Sequence, residues 1–224
     1  MKENTLVKKN LFNKLFHTAK ENLNLIIIIL SICFAIFLCF QMFNLYNSSK
    51  IKKNSISFFN FYNAEELSVV EESILELSKE KNFYAILSKL ELIDLNFKNK
   101  NYEYVLNLYK ELLTSEDLNK IYKSAIASKA SYQFINLNFE NLSLDYFQVI
   151  KDFISYIDND LVAYQGVKLE LKFLTKILEV EKNNIKYHNF SEIIDMYNNI
   201  MNSDVVSSAT KERINKVHEF YFYK

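Results

Sequence analysis

The sequence predicts an all-α protein with one membrane-spanning helix near its N-terminal end, and three observations carry that prediction. An apolar run, LIIIILSICFAIFLCFQMFNLY from Leu25 to Tyr46, sits in a stretch with no charged side chain between Glu21 and Lys50. Beyond it, apolar residues return at spacings of three and four, the period of one helix face, and no run alternates over the length of a strand. Among 224 residues there is one glycine, Gly166, and no proline, whereas sheet-rich and loop-rich folds draw on both at their turns.

At about 1.5 Å per residue, residues 25–46 rise roughly 33 Å as a helix, the thickness of a bilayer's hydrocarbon core. A single apolar segment in lipid has to be helical, because only then are its backbone polar groups satisfied. Leu25, Ile29, Cys33, Phe37, Phe40 and Tyr46 mark this anchor, with Phe43 and Tyr46 at the outer interface. The run is longer than the apolar region of a cleaved signal peptide, and Asn44, Asn47, Ser48 and Lys50 follow it with no small-x-small cleavage site. Lys2, Lys8, Lys9, Lys14 and Lys20 precede it, against Lys50, Lys52 and Lys53 after it. That bias predicts a cytoplasmic N-terminus and a large C-terminal part on the outer side of the membrane. Cys33 and Cys39 read as lipid-facing side chains, leaving the rest of the chain without cysteine.

The organisation expected is a basic tail over 1–24, the anchor over 25–46, a polar linker over 47–57 and a helical domain over 58–224. The tail, with Leu11, Phe12, Leu15 and Phe16 among its lysines, reads either as an amphipathic helix on the membrane face or as a positive segment that only sets topology. In the domain a first helix over 58–81 is marked by Leu67, Val70, Ile74 and Leu77, with Glu65, Glu66, Glu71 and Glu72 toward its N-terminal end. A second over 84–98 presents Ile86, Leu87, Leu90, Ile93 and Phe97. After a break at Asn99, Lys100 and Asn101, a third over 102–113 carries Val105, Leu106, Tyr109, Leu112 and Leu113, giving an antiparallel hairpin. Ser115, Glu116 and Asp117 are candidate caps for a fourth over 118–137, whose Ala125, Ala127, Ser128 and Ala130 suit close packing. A fifth over 144–157 offers Phe147, Ile150, Phe153, Ile154 and Ile157. A sixth spans 161–183 and a seventh 190–201. After Ser203 and Asp204 an eighth, 205–222, has Ala209, Ile214, Val217, Phe220 and Tyr221 on its apolar side.

Composition narrows the function classes. Half the residues are apolar and 15% aromatic, too hydrophobic for a disordered tail. Lys+Arg and Asp+Glu are 27 each, so no electrostatic footprint for nucleic acid is present. One glycine cannot build a phosphate cradle, a dinucleotide fingerprint or a nucleophile elbow. The three histidines, His17, His188 and His218, stand far apart with no cysteine beside them beyond the anchor, so no metal is expected. Carboxylate pairs such as Glu71 with Glu72 or Asp158 with Asp160 fall at solvated positions, and Ser191 near His188 lacks an orienting third group. The reading is a non-enzymatic chain without cofactor or small-molecule substrate.

Two stretches, KNKNYEYVLNLYKELLTSED (98–117) and HNFSEIIDMYNNIM (188–201), open on an aromatic, Tyr102 or Phe190. Each continues with an apolar pair, Val105 with Leu106 or Ile193 with Ile194, and reaches a tyrosine at i+7, Tyr109 or Tyr197. They resemble the second helix of a tetratricopeptide repeat, with Lys100 and His188 where glycine is usual and Val105 and Ile193 in place of alanine. Taken with the lysine-rich tail, the anchor, IYKSAIASKASYQFI (121–135) and VSSATKERINKVHEFY (206–221), the order is similar to the ancillary SecYEG translocon subunit family and its rickettsial relatives. That resemblance implies a periplasmic repeat domain associated with translocon subunits and a membrane-bound periplasmic chaperone.

Tyr102, Tyr109, Tyr122 and Tyr132, with Tyr197 in the second stretch, are candidates for a partner-binding face, since amphipathic aromatics are enriched at protein interfaces. The same tyrosines serve equally well as core residues of stacked helices. The expected function is a membrane-anchored protein-interaction module near the Sec translocon. The alternative is a scaffold that tethers envelope or division assemblies.

Overall fold

The computed structural model describes residues 22–62, 67–183 and 191–223. Among the described residues there are nine α-helices and no strand. The tail up to Glu21, together with Glu65, Glu66, His188 and Phe190, lies outside the described residues, as do the side chains of Leu67 and Val70. The chain divides into two compact units, Met1–Ser88 and Lys89–Lys224.

In the first unit α1, Leu23–Tyr62, contains the whole apolar run, and its apolar window is nowhere covered by protein. Leu25, Ile29, Phe37, Phe40 and Tyr46 are all at least half exposed, and Cys33 and Cys39 are exposed free thiols. One N-terminal helix is therefore long and apolar enough to cross a membrane. The expected linker 47–57 is helical and continues α1 without a break, so residues 58–62 belong to α1 rather than to the next helix. Nothing in NSSKIKKNSIS ends a helix: it is polar, but it contains neither glycine nor proline. Its far end carries buried Asn54 and Phe58 and packs on α2, Leu67–Ser78, where Ile74 and Leu77 are buried. Lys50 pairs with Glu80 at 2.6 Å, and the Phe58 and Tyr84 rings lie 5.9 Å apart.

Helix α3, Phe83–Lys98, begins where Asn82 Oδ1 accepts the amides of Tyr84 and Ala85 at 2.9 and 3.2 Å, and it runs on into the second unit. Its buried residues are Ala85, Ser88, Leu92, Ile93 and Asn96, so the covered stripe is turned from the expected Ile86, Leu87, Leu90 and Phe97, which are only half-buried. Asn96 tolerates burial because its Nδ2 donates to the Leu92 carbonyl at 2.9 Å. Two bonds close the helix in a Schellman arrangement: Asn101 N–H to Asn96 O at 2.9 Å and Lys100 N–H to Phe97 O at 3.1 Å. Lys100 occupies the left-handed position between them, at φ 61°.

The second unit continues with α4, Tyr102–Thr114, α5, Lys120–Glu140, α6, Phe147–Ser155, α7, Val162–Lys182, α8, Ser191–Met201, and α9, Ser208–Phe222. Each helix from α4 onward packs on the next, and α5 also packs on α7 and α7 on α9. The close approach comes from small residues: Ser124, Ala127, Ser128, Ala130 and Ser131 of α5 are buried, and Ser128 and Ser131 return their hydroxyls to carbonyls one turn back. Val105, Leu108, Tyr109, Leu112 and Leu113 of α4 are buried, as are Ile150, Phe153 and Ile154 of α6. A further core joins Phe173, Ile177 and Val180 of α7 to Ile193, Ile200, Val206 and Ile214.

Helix starts follow capping side chains more closely than the expected bounds. Asn119, not Ser115–Asp117, caps α5, accepting the Tyr122 amide at 3.0 Å. Ser207, not Ser203 or Asp204, caps α9, accepting the Thr210 amide at 3.2 Å. That start sets the buried side of α9 at Thr210 and Ile214, with Val217 and Tyr221 half-buried, and leaves Ala209 and Phe220 exposed.

Candidate functional site

The five singled-out tyrosines do not converge on one surface. Tyr102 sits edge-on to Phe97 and Tyr146, with centroids at 5.4 and 6.4 Å. Tyr109 is fully buried, donates its hydroxyl to Gln133 Oε1 and packs 5.5 Å from Phe153; burial, then the Asp94 charge, pushes its phenol far above the usual range. Tyr132 is half-buried and its phenol is likewise pushed up, first by burial and then by the Glu170 charge. Tyr197 stacks on the His218 ring at 3.8 Å and donates to Asn215 Oδ1 at 2.6 Å. Tyr122, half exposed near the start of α5, is the member that a partner can reach without repacking.

A concave site lies elsewhere in the second unit, where α6, α7 and α8 meet. It is an open cavity of about 500 Å³, within the size range of ligand clefts. Lys168, Lys172 and Lys176 follow one another at i, i+4 and i+8 on α7, one stripe of the helix, and Lys151 faces the same space from α6. Thr175, Ser155, Ile154 and Met196 complete most of the wall, with Glu179 and Glu192 at one end.

The four lysines are not equivalent. Lys176 Nζ lies 3.1 Å from Glu179 Oε2 and 3.0 Å from Glu192 Oε2. Burial works against its charge, but hydrogen bonds to Glu192 and Glu179 outweigh it and its pKa is raised. Lys168 donates to the Ile157 carbonyl at 2.6 Å and to Asn159 Oδ1 at 2.7 Å, which ties α7 to the end of α6. Its pKa is lowered, first by burial and then by the charge of Lys172, with the Asp158 charge offsetting part of it. Lys151 and Lys172 are exposed and form no salt bridge among the described residues. Four lysines against two glutamates leave the wall at a formal +2 in a chain whose net charge is zero.

Among the described residues no group of three or more histidines, cysteines and carboxylates is placed to hold a metal ion. Asp158, with its carboxyl held low by a hydrogen bond from Lys120 and by the Asp160 amide, caps the turn before α7. The cavity was missed in the sequence because Lys151 lies on a different helix from the other three. The visible signal was the lysine ladder 168, 172, 176, a like-charge stripe that costs helix stability and therefore asks for a reason. Comparison with known proteins finds no matching family model, no similar curated protein and no similar solved structure.

Proposed function

We propose that this chain is a non-enzymatic, single-pass membrane protein whose helical C-terminal part binds other proteins at the cell envelope, with translocon subunits and a periplasmic chaperone as the expected partners. The observation that carries the reading is α1: a helix with its apolar side chains uncovered on every side, running unbroken past Lys50, Lys52 and Lys53 into packing against α2. Uncovered leucine, isoleucine and phenylalanine around a whole helix are unfavourable in water at about 25 cal/mol per Å² and favourable in lipid. The lysine bias around the span supports an N-terminus in the cytoplasm and the helical units in the periplasm of an inner membrane. Successive helices packed each on the next from α4 to α9 support a role in binding polypeptides. The resemblance to tetratricopeptide-type translocon accessories supports the choice of partners, through Tyr102–Thr114 and Ser191–Met201.

The test is site-specific photo-crosslinking in native membranes with the probe at Tyr46 in the outer interface and at Tyr122 on α5, together with protease accessibility in spheroplasts. Tyr122 serves better than Tyr109, whose burial would report only on the fold. The expected result is adducts with translocon subunits or a periplasmic chaperone and cleavage of the helical units from outside. A helical part protected in spheroplasts would reverse the orientation and remove every periplasmic partner. Accessible units without such adducts would sink the partner assignment.

A further inference from the structure

Of the four lysines on the cavity between α6, α7 and α8, Lys151 and Lys172 form no salt bridge among the described residues. We propose that this cavity is a binding site for an acidic, extended polypeptide segment, whose carboxylates meet Lys151 and Lys172 while its apolar side chains lie on Met196. This rests on the protein-binding reading above and names the chemistry of the segment recognised.

The first argument is charge complementarity. The wall holds a formal +2. Lys176 is already committed to Glu179 and Glu192, and Lys168 to Ile157 and Asn159, so the two ammonium groups left over are those of Lys151 and Lys172. They are carried on different helices and face one volume, so a ligand with two carboxylates satisfies both. The second argument separates a peptide from a small anion. An inorganic phosphate would find lysine point charges on this wall but neither an arginine fork nor a glycine-rich run of backbone N–H groups to fix its geometry. Glu179 and Glu192 repel a carboxylate and a phosphate alike, but an extended segment has backbone N–H groups to set at their end of the wall while its carboxylates lie at Lys151 and Lys172. Met196 and the aliphatic stems of Lys151 and Lys172 give the wall its reachable apolar surface, and the Ser155 hydroxyl, which donates to the Asp152 carbonyl, is left to accept; methionine adapts to side chains of different shape.

The experiment uses the full chain in an uncharged detergent and measures fluorescence anisotropy of a labelled hexapeptide rich in glutamate with two leucines, beside its glutamine counterpart. The acidic peptide should bind at least about tenfold more tightly than the glutamine peptide, and salt should weaken it steeply. The double variant Lys151→Gln, Lys172→Gln should abolish that preference. Glu192→Gln, which removes a repelling charge, should tighten the acidic peptide about two- to fivefold, a gain that a damaged fold cannot produce. Equal affinity for the two peptides, binding indifferent to both variants, or displacement by inorganic phosphate at concentrations equal to the peptide would overturn the proposal. Crosslinks from Tyr122 to envelope proteins do not depend on Lys151 or Lys172. If they persist while the peptide preference is absent, the cavity assignment fails and the interaction-module reading stands.

Discussion

Arg213 of α9 grips Glu170 of α7 with two parallel hydrogen bonds, Nε to Oε1 at 2.8 Å and Nη2 to Oε2 at 2.7 Å. The carboxylate is almost completely buried and the guanidinium half exposed. Two helices of the second unit, α7 and α9, are thus tied through one acidic group, whose salt bridge among the described residues is to Arg213. Arg213→Ala should destabilise the unit by about 2–3 kcal/mol, less than a fully buried pair because water already reaches the arginine. Arg213→Lys should recover only part, since an ammonium cannot copy the fork. Urea unfolding of the solubilised chain followed by circular dichroism measures it; an unchanged midpoint for Arg213→Ala would show that water already satisfies Glu170.

Gly166 tests whether close approach or chain freedom explains the one glycine. It lies in the second turn of α7, where alanine is ordinarily better by about 1 kcal/mol. A Cβ there would stand 3.2 Å from the Val205 carbonyl oxygen and 3.3 Å from the Val206 Cα, both backbone atoms of the turn that leads into α9. Backbone cannot rotate aside as a side chain can, so crowding should outweigh propensity. Gly166→Ala is expected to lower stability by about 1 kcal/mol, and Gly166→Leu by more. A stabilised Gly166→Ala chain would mean that the turn at Val205 yields freely.

The helices are legible because spacing alone identifies them: Val105, Tyr109, Leu112 and Leu113 of the expected α4 face are buried, with Leu108 rather than the half-buried Leu106 completing it. Starts were less legible, because the competition between Ser115, Asp117 and Asn119 is settled by which side chain reaches an amide, and only Asn119 does so for α5. Residues 47–57 have the polar composition of a linker yet are helical, because polarity alone does not break a helix. In a chain without proline, polar residues continue a helix unless something breaks it. The orientation of α3 was hidden because Asn96 and Ser88 are on its buried side, and polar residues carry no hydrophobic signal. The cationic cavity needed the fold, since residue 151 meets 168, 172 and 176 only when α6 packs on α7.

Lys100 shows a sequence irregularity with a structural cost. Glycine is the usual residue at the left-handed end of a Schellman closure, and lysine there, at φ 61°, bears a penalty of about 1 kcal/mol. Replacing it by glycine relieves that strain but loosens the unfolded chain, so Lys100→Gly should gain about 0.5 kcal/mol. Lys100→Val, β-branched and harder to hold at positive φ, should lose about 1–2 kcal/mol. Both are read as shifts in thermal midpoint. A valine variant as stable as the natural chain would mean that the turn between α3 and α4 has another conformation of equal energy.

His218 gives the second unit a pH dependence whose sign follows from its surroundings. The ring stacks on Tyr197 at 3.8 Å and 13° and lies 5.6 Å from Phe222. Burial lowers its pKa below the ordinary 6.5, and the Glu219 charge offsets only part of that. The folded chain therefore holds the imidazole neutral where the unfolded chain would protonate it. Between pH 6.5 and the lower folded value the unfolded state binds more protons, so stability falls as pH falls, and below the folded value the loss is complete. His218→Phe keeps an aromatic ring against Tyr197 and removes the proton site. Its urea midpoint should decline less than that of the natural chain between about pH 7.5 and pH 5.5, with the two converging above pH 7 apart from a constant offset. Parallel curves across that range would show that protonating His218 costs the fold nothing, and a steeper natural decline above pH 7 would assign the titration to another group.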